Sequence, residues 1–189
     1  PTPHTSSAAS DVYKRQVYPE LLVWHFNQIR DFASSVVHAK ALDLRLQEQG
    51  IRLMELGNTA QANGDTETAL ECYKYVAAKG PSNPYFFTAR NEVLQVRFDA
   101  LTQEVPADVE AMSALAEEYA ASLRDLGVRS ETAMMVKDMA YLLAFYLQRA
   151  PEGIEALEAL IAENDLNERV AAACKLTLGD IYVFEGLIW

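Results

Sequence analysis

The residues able to do chemistry in this chain are few and scattered. A thiolate nucleophile or a zinc ligand needs a base, a second thiol or an imidazole at close spacing, and neither Cys72 nor Cys174 has one. Buried, inert thiols are expected instead. His25 and His38 occupy one helical stretch but lack companions at the i, i+4 spacing that places two ligands on one helix face, so no metal is expected. Glu117 and Glu118 are adjacent and so do not share a helix face as paired acid and base groups would. With no glycine-rich phosphate loop and no nucleophile beside a base, neither catalysis nor a cofactor is expected.

Charge narrows the partners. The 189 residues hold 27 Asp and Glu against 16 Lys and Arg, a formal charge of −11, and a field of that sign repels polyphosphates and anionic lipid head groups. Nucleic acid is not an expected partner. No apolar run approaches the roughly 18 residues that cross a bilayer, so no membrane insertion is expected. Asp99, Glu104, Asp108, Glu110, Glu117 and Glu118 form an acidic run, and another spans Glu152 to Glu168; either suits a basic partner, though a solvated outer face is the plainer account. Arg90 and Arg97, seven apart on one helix face, suit a carboxylate but have many surface acids to pair with. Met112, Met134, Met135 and Met139 fall at helical spacing, which reads as core before it reads as an adaptable surface.

Those residues must be positioned by helices, because no strand periodicity survives anywhere. Pro1 to Gln16 has only Val12 and Tyr13 as large apolar groups, so disorder is expected there, and SSAASDVYKRQ resembles translated sequencing-adapter read-through. From 17 to 49 one long leading helix is expected, with Leu22, Phe26, Ile29, Phe32, Ala33, Val36 and Val37 on one face. Trp24 is expected to pack.

Helix pairs follow over about 50–81, 84–127 and 130–164, with a half pair over 168–189. In the first, a helix from Ile51 halts at Asn63-Gly64-Asp65, and a second, capped by Asp65 or Thr66, stops at Gly80-Pro81. Asn83 and Pro84 should open the next helix, and Pro106-Ala107-Asp108 should restart the chain. Ser130 should cap a segment to Arg149 that is apolar almost all round, as befits a helix sandwiched between neighbours. Pro151 should open a helix with Ile154, Leu157, Leu160 and Ile161 on one stripe, and Asp165 with Glu168 has capping-box form.

Leu53-x2-Leu56-Gly57-x2-Ala60, Gly64, Ala69-x3-Tyr73 and Pro81 resemble the tetratricopeptide repeat, a helix–turn–helix unit of about 34 residues. Lys175-x2-Leu178-Gly179-x2-Tyr182, with Gly186 placed as Gly64 is, resembles the first helix of a second unit. Leu53 stands where the pattern favours tryptophan and Ala60 where it favours tyrosine. Gly57 and Gly179 lie 122 residues apart, which is not a whole multiple of that period, so some intervening units should be longer.

The resemblance implies an all-α, right-handed α-solenoid of antiparallel helix pairs, cut at its C-terminus, whose work is to hold a protein or peptide. The first helix of each pair would line a concave groove, with Met54, Asn58 and Gln61 as candidate contacts, then Thr88, Glu92 and Gln95, then Leu176 and Asp180. Some members of the family grip a partner's C-terminal carboxylates with a lysine or arginine one turn before an asparagine. Here Met54 precedes Asn58, so an acidic C-terminal tail is not the expected ligand. The alternative function is a ligand sensor with an enclosed pocket near Tyr141 and Phe145. The last helix, with Trp189 expected to meet a further one, suggests self-association.

Overall fold

The computed structural model describes residues 6–103, 108–163 and 165–187, with side chains from residue 17 onward. Among these the chain is all helical, as expected, with no strand: α1 (Ser6–Gln28), α2 (Phe32–Leu46), α3 (Ile51–Ala62), α4 (Thr66–Ala77), α5 (Phe86–Thr102), α6 (Val109–Leu126), α7 (Ala133–Phe145), α8 (Ala150–Glu163) and α9 (Glu168–Phe184). Pro106 and Trp189 lie outside the described residues, as do residues 1–5. Two compact units divide the chain, Pro1–Val93 and Leu94–Trp189.

The single leading helix expected over 17–49 is two helices, and the first begins at Ser6, inside the segment expected to be disordered. The break has a local cause. Arg30 takes a left-handed φ of 59°, the Asp31 N–H donates back to the Phe26 carbonyl at 2.9 Å, and the Asp31 carboxylate caps α2 by accepting from Ser34 N at 3.1 Å. This is a helix stop and a helix start in succession. Ile29 and Val37, placed on the buried stripe by sequence, are 57% and 65% exposed as a result.

In unit 1 the closest backbone packing is α3 on α4 and α1 on α2, with α2 on α3 between them. The α3–α4 pair is antiparallel: Gly50 faces Val76 and Lys79 while Gly57 faces Tyr73. A Cβ on Gly57 would sit 2.7 Å from Tyr73 Cε1, so the absence of a side chain lets a fully buried tyrosine ring lie on the α3 backbone. Leu53, Leu56, Ala60 and Ala69 close the pair, each at most 2% exposed. Asp65, not Thr66, is the cap of α4, accepting from Thr68 N at 3.0 Å.

A second anchor, which no sequence motif announced, sits where α2 meets α4. Asp43 is 1% exposed and its carboxylate accepts from Gly50 N at 2.5 Å, Tyr75 Oη at 3.0 Å and Lys79 Nζ at 2.5 Å. Burial works to raise this carboxyl's pKa, but the bonds from Lys79, Tyr75 and Gly50 outweigh it and hold the group below its ordinary value.

In unit 2, α7 packs against α6, α8 and α9, the sandwiched position its all-round apolarity predicts. Met112, Leu115, Tyr119, Met135, Leu142, Leu157, Leu160, Cys174 and Ile181 form its core. Three further helix starts differ from expectation. Ser130 does not cap α7, because a 3-10 turn spans Ser130–Thr132 and α7 begins at Ala133. Asn167 rather than Asp165 caps α9, accepting from Val170 N at 3.0 Å. Asn83 accepts from Tyr85 N at 2.9 Å, so a turn precedes α5, which starts at Phe86.

The expected α5–α6 pair has little close backbone contact. Leu94, Phe98 and Leu101 reach the unit 2 core by side chain, and bulky groups in place of a small residue keep helix axes apart.

Gly153 was missed by sequence. It is buried in α8, and a Cβ there would stand 2.8 Å from the Ala140 carbonyl oxygen of α7, backbone that cannot swing aside. Gly153→Ala is expected to destabilise the protein by about 1–3 kcal/mol, read as a lower urea midpoint. Gly179→Ala is the control. Nothing lies within 4 Å of that Cβ position, so better helix propensity should leave stability unchanged or raise it by up to about 1 kcal/mol.

Candidate functional site: the α1 and α3 face

Of the chemistry-bearing residues singled out by sequence, both cysteines are buried, and His38 and Arg97 have side-chain partners. Burial pushes the Cys72 thiol up to about 12, with Glu71 adding to the effect, and raises Cys174 too; both stay protonated at neutral pH and poor as nucleophiles. His38 stacks on Phe26 at 5.5 Å between ring centroids. Arg97 pairs with Glu118. Among the described residues no group of three His, Cys, Asp or Glu is placed to hold a metal, and no helix is long and apolar enough to cross a membrane. Near Tyr141 and Phe145, where the alternative function needs an enclosed pocket, the rings of Phe98, Tyr141, Phe145, Tyr146 and Phe184 pack on one another at 4.5–6.3 Å.

The sequence-derived groove candidates separate into three groups. Met54 is buried, 7% exposed; it turns into the packing of α3 and cannot meet a partner, which corrects its assignment. Asn58 and Gln61 do come together, because Tyr73 Oη reaches Asn58 Oδ1 at 2.7 Å and Gln61 Oε1 at 3.0 Å. Glu92 lies within electrostatic reach: burial first, then the Glu92 charge, raises the Tyr73 pKa. Thr88 is exposed one turn before Glu92 on α5. In unit 2, Gln95 is tied to Asp99 at 2.9 Å, and Leu176 and Asp180 are exposed on α9.

A cleft on the other flank of α3 was not foreseen. Glu20, Val23, Trp24 and Asn27 of α1 and Arg52, Glu55, Leu56 and Thr59 of α3 line a cleft of about 270 Å³. On each helix these residues fall at i, i+3, i+4 and i+7, a single face. Val23 and Leu56 form the buried floor, at 6% and 2% exposed.

The polar groups of the cleft are unevenly satisfied. Arg52 donates twice to Glu48, at 2.9 and 2.6 Å, bonds that raise its pKa further, and it stands 3.9 Å from Glu20. Thr59 spends its proton on the Glu55 carbonyl at 2.8 Å. Among the described residues Asn27 Oδ1 is buried without a hydrogen-bond partner, and an unpaired buried acceptor costs on the order of 1–3 kcal/mol. Trp24, expected to pack, is 61% exposed at this edge.

Sequence had the means to find it. The i, i+3, i+4, i+7 polar-aromatic set Glu20, Val23, Trp24 and Asn27 was legible once α1 was seen to end at Gln28 and not to continue through Asp31. No protein-family model, curated protein or solved structure matches the chain.

Proposed function

We propose that the protein is a binding scaffold which holds a polypeptide partner against the face of unit 1 formed by α1 and α3. One observation carries this: an indole 61% exposed stands beside a cleft lined in part by Asn27, whose buried amide oxygen has no partner among the described residues. Tryptophan is among the residue types most enriched in interface hot spots, and a buried acceptor without a partner among the described residues is a place where a donor from a partner would add a hydrogen bond. Asn58, Gln61, Thr88 and Glu92 extend the polar contact surface on the opposite flank of α3. The net charge of −11 disfavours nucleic acid as the occupant, and the helical pairing supports the resemblance to partner-holding repeats.

The test is selection of a random-peptide display library on the immobilised protein, followed by affinity measurement on the Trp24→Ala variant. Selected peptides are expected to lose about 2 kcal/mol, roughly thirtyfold in Kd, while the melting of the variant stays within about 0.5 kcal/mol of the parent because the indole is mostly exposed. Peptides that bind the variant as tightly as the parent would count against this face.

A further inference from the structure

We propose that the Trp24 cleft takes a cationic side chain of the partner, arginine in preference to lysine; this rests on the assignment of the α1 and α3 face as the binding surface. Four of the polar residues that line the cleft, Glu20, Glu55, Asn27 and Thr59, present acceptors, and two of these are charged. Glu55 has no ion pair among the described residues, and Glu20 has only Arg52, at 3.9 Å. The one cation in the cleft is already held by two short bonds to Glu48, so Glu20 and Glu55 leave a surplus of negative charge.

The remaining groups point the same way. Asn27 Oδ1 has no donor among the described residues, and the Thr59 hydroxyl, its proton committed to the Glu55 carbonyl, presents only lone pairs. The exposed face of Trp24 attracts a cation through its ring quadrupole. Val23 and Leu56 on the floor supply apolar surface for the methylene stem of a long basic side chain. A carboxylate in this place would meet Glu20 and Glu55. An apolar side chain would cover the indole but neutralise neither Glu20 nor Glu55. Guanidinium is favoured over ammonium because it is the more weakly hydrated ion and stacks on aromatic faces. The protein's overall negative charge steers basic segments toward it.

The experiment reads Trp24 emission in a Trp189→Phe variant, where it is the sole indole. The probes are acetylated, amidated heptapeptides of alanine and glycine that carry a central arginine, glutamine or glutamate. The arginine peptide is expected to bind roughly tenfold more tightly than the glutamine peptide and the glutamate peptide not at all, with the difference shrinking at high salt. Glu55→Gln, an exposed change that leaves the fold intact, should reduce arginine binding about fivefold and leave glutamine binding unchanged. Equal binding of arginine and glutamine peptides overturns the cation preference while leaving the face a binding surface. No response to the arginine peptide overturns it too, and if display-selected peptides are also indifferent to Trp24→Ala, the assignment of the face falls with it.

Discussion

Tyr73→Ala is expected to lower the stability of unit 1 by about 3–5 kcal/mol, the usual cost of emptying a buried aromatic site. The ring is fully buried and rests on the α3 backbone at Gly57, so its removal opens a void between α3 and α4 that neither helix can close without losing register. Tyr73→Phe isolates the hydroxyl. It forfeits the bonds to Asn58 and Gln61 and should cost only about 1 kcal/mol.

The distinctive expectation is a reversal of sign at Gly57. In the parent protein Gly57→Ala should destabilise, since its Cβ would stand 2.7–3.1 Å from three ring atoms. In the Tyr73→Ala background the same change has room and should stabilise by about 0.5–1 kcal/mol, the ordinary gain of alanine over glycine inside a helix. Urea titrations of the four proteins measure the coupling directly. Additive effects would mean that the two helices do not meet as described.

Asp43→Ala is expected to cost about 3 kcal/mol, the lower end of the range for breaking a buried ion pair, because Lys79, at 26% side-chain exposure, recovers part of its hydration. The Gly50 N–H and the Tyr75 hydroxyl also lose their acceptor. With a urea m-value of about 2 kcal/mol/M the midpoint of unit 1 should fall by roughly 1.5 M. Changing both partners to apolar residues, Asp43→Leu with Lys79→Met, should cost less than Asp43→Ala alone, since no buried charge or ammonium is then left without its mate.

The pH dependence follows from the direction of the shift. Asp43 titrates below its ordinary value in the folded protein, so its contribution is whole above the unfolded value of about 3.9 and disappears as pH falls through the folded value beneath it. The parent should therefore lose more stability than Asp43→Asn between pH about 5 and 2. Parallel acid limbs for the two proteins would contradict the assigned role of this carboxylate.

What was legible in the sequence depended on how local each signal is. Two short helices joined at Asn63-Gly64-Asp65 declared a helical hairpin, and the resemblance of Gly57, Ala60, Ala69 and Tyr73 to the repeat pattern implied which backbone approaches which. The all-round apolarity of α7 likewise announced a helix surrounded by others. Signals that need two elements at once stayed hidden. Asp43 looks like any helical carboxylate until α4 brings Tyr75 and Lys79 to it, and Gly153 looks like a weak helix residue until Ala140 is seen against it. The α1–α2 break was written in Asp31 and Ser34, a cap and its receiving N–H, but the continuous apolar pattern across Ile29 and Phe32 masked it. That oversight carried the site with it: Trp24 reads as packing on one long helix and as an exposed edge on a short one. Met54 failed for a related reason, since being off the main stripe of α3 does not leave a side chain exposed when neighbours cover both flanks.

The central claim, that a partner lies against α1 and α3, is tested most directly by photocross-linking. Benzoylphenylalanine placed at position 24 and, separately, at position 37, an α2 site that is 65% exposed, should be irradiated in extract of the cells that make the protein. A discrete polypeptide adduct from position 24 and none from position 37 is the predicted result. No adduct at position 24, or the same adducts from both positions, would contradict it.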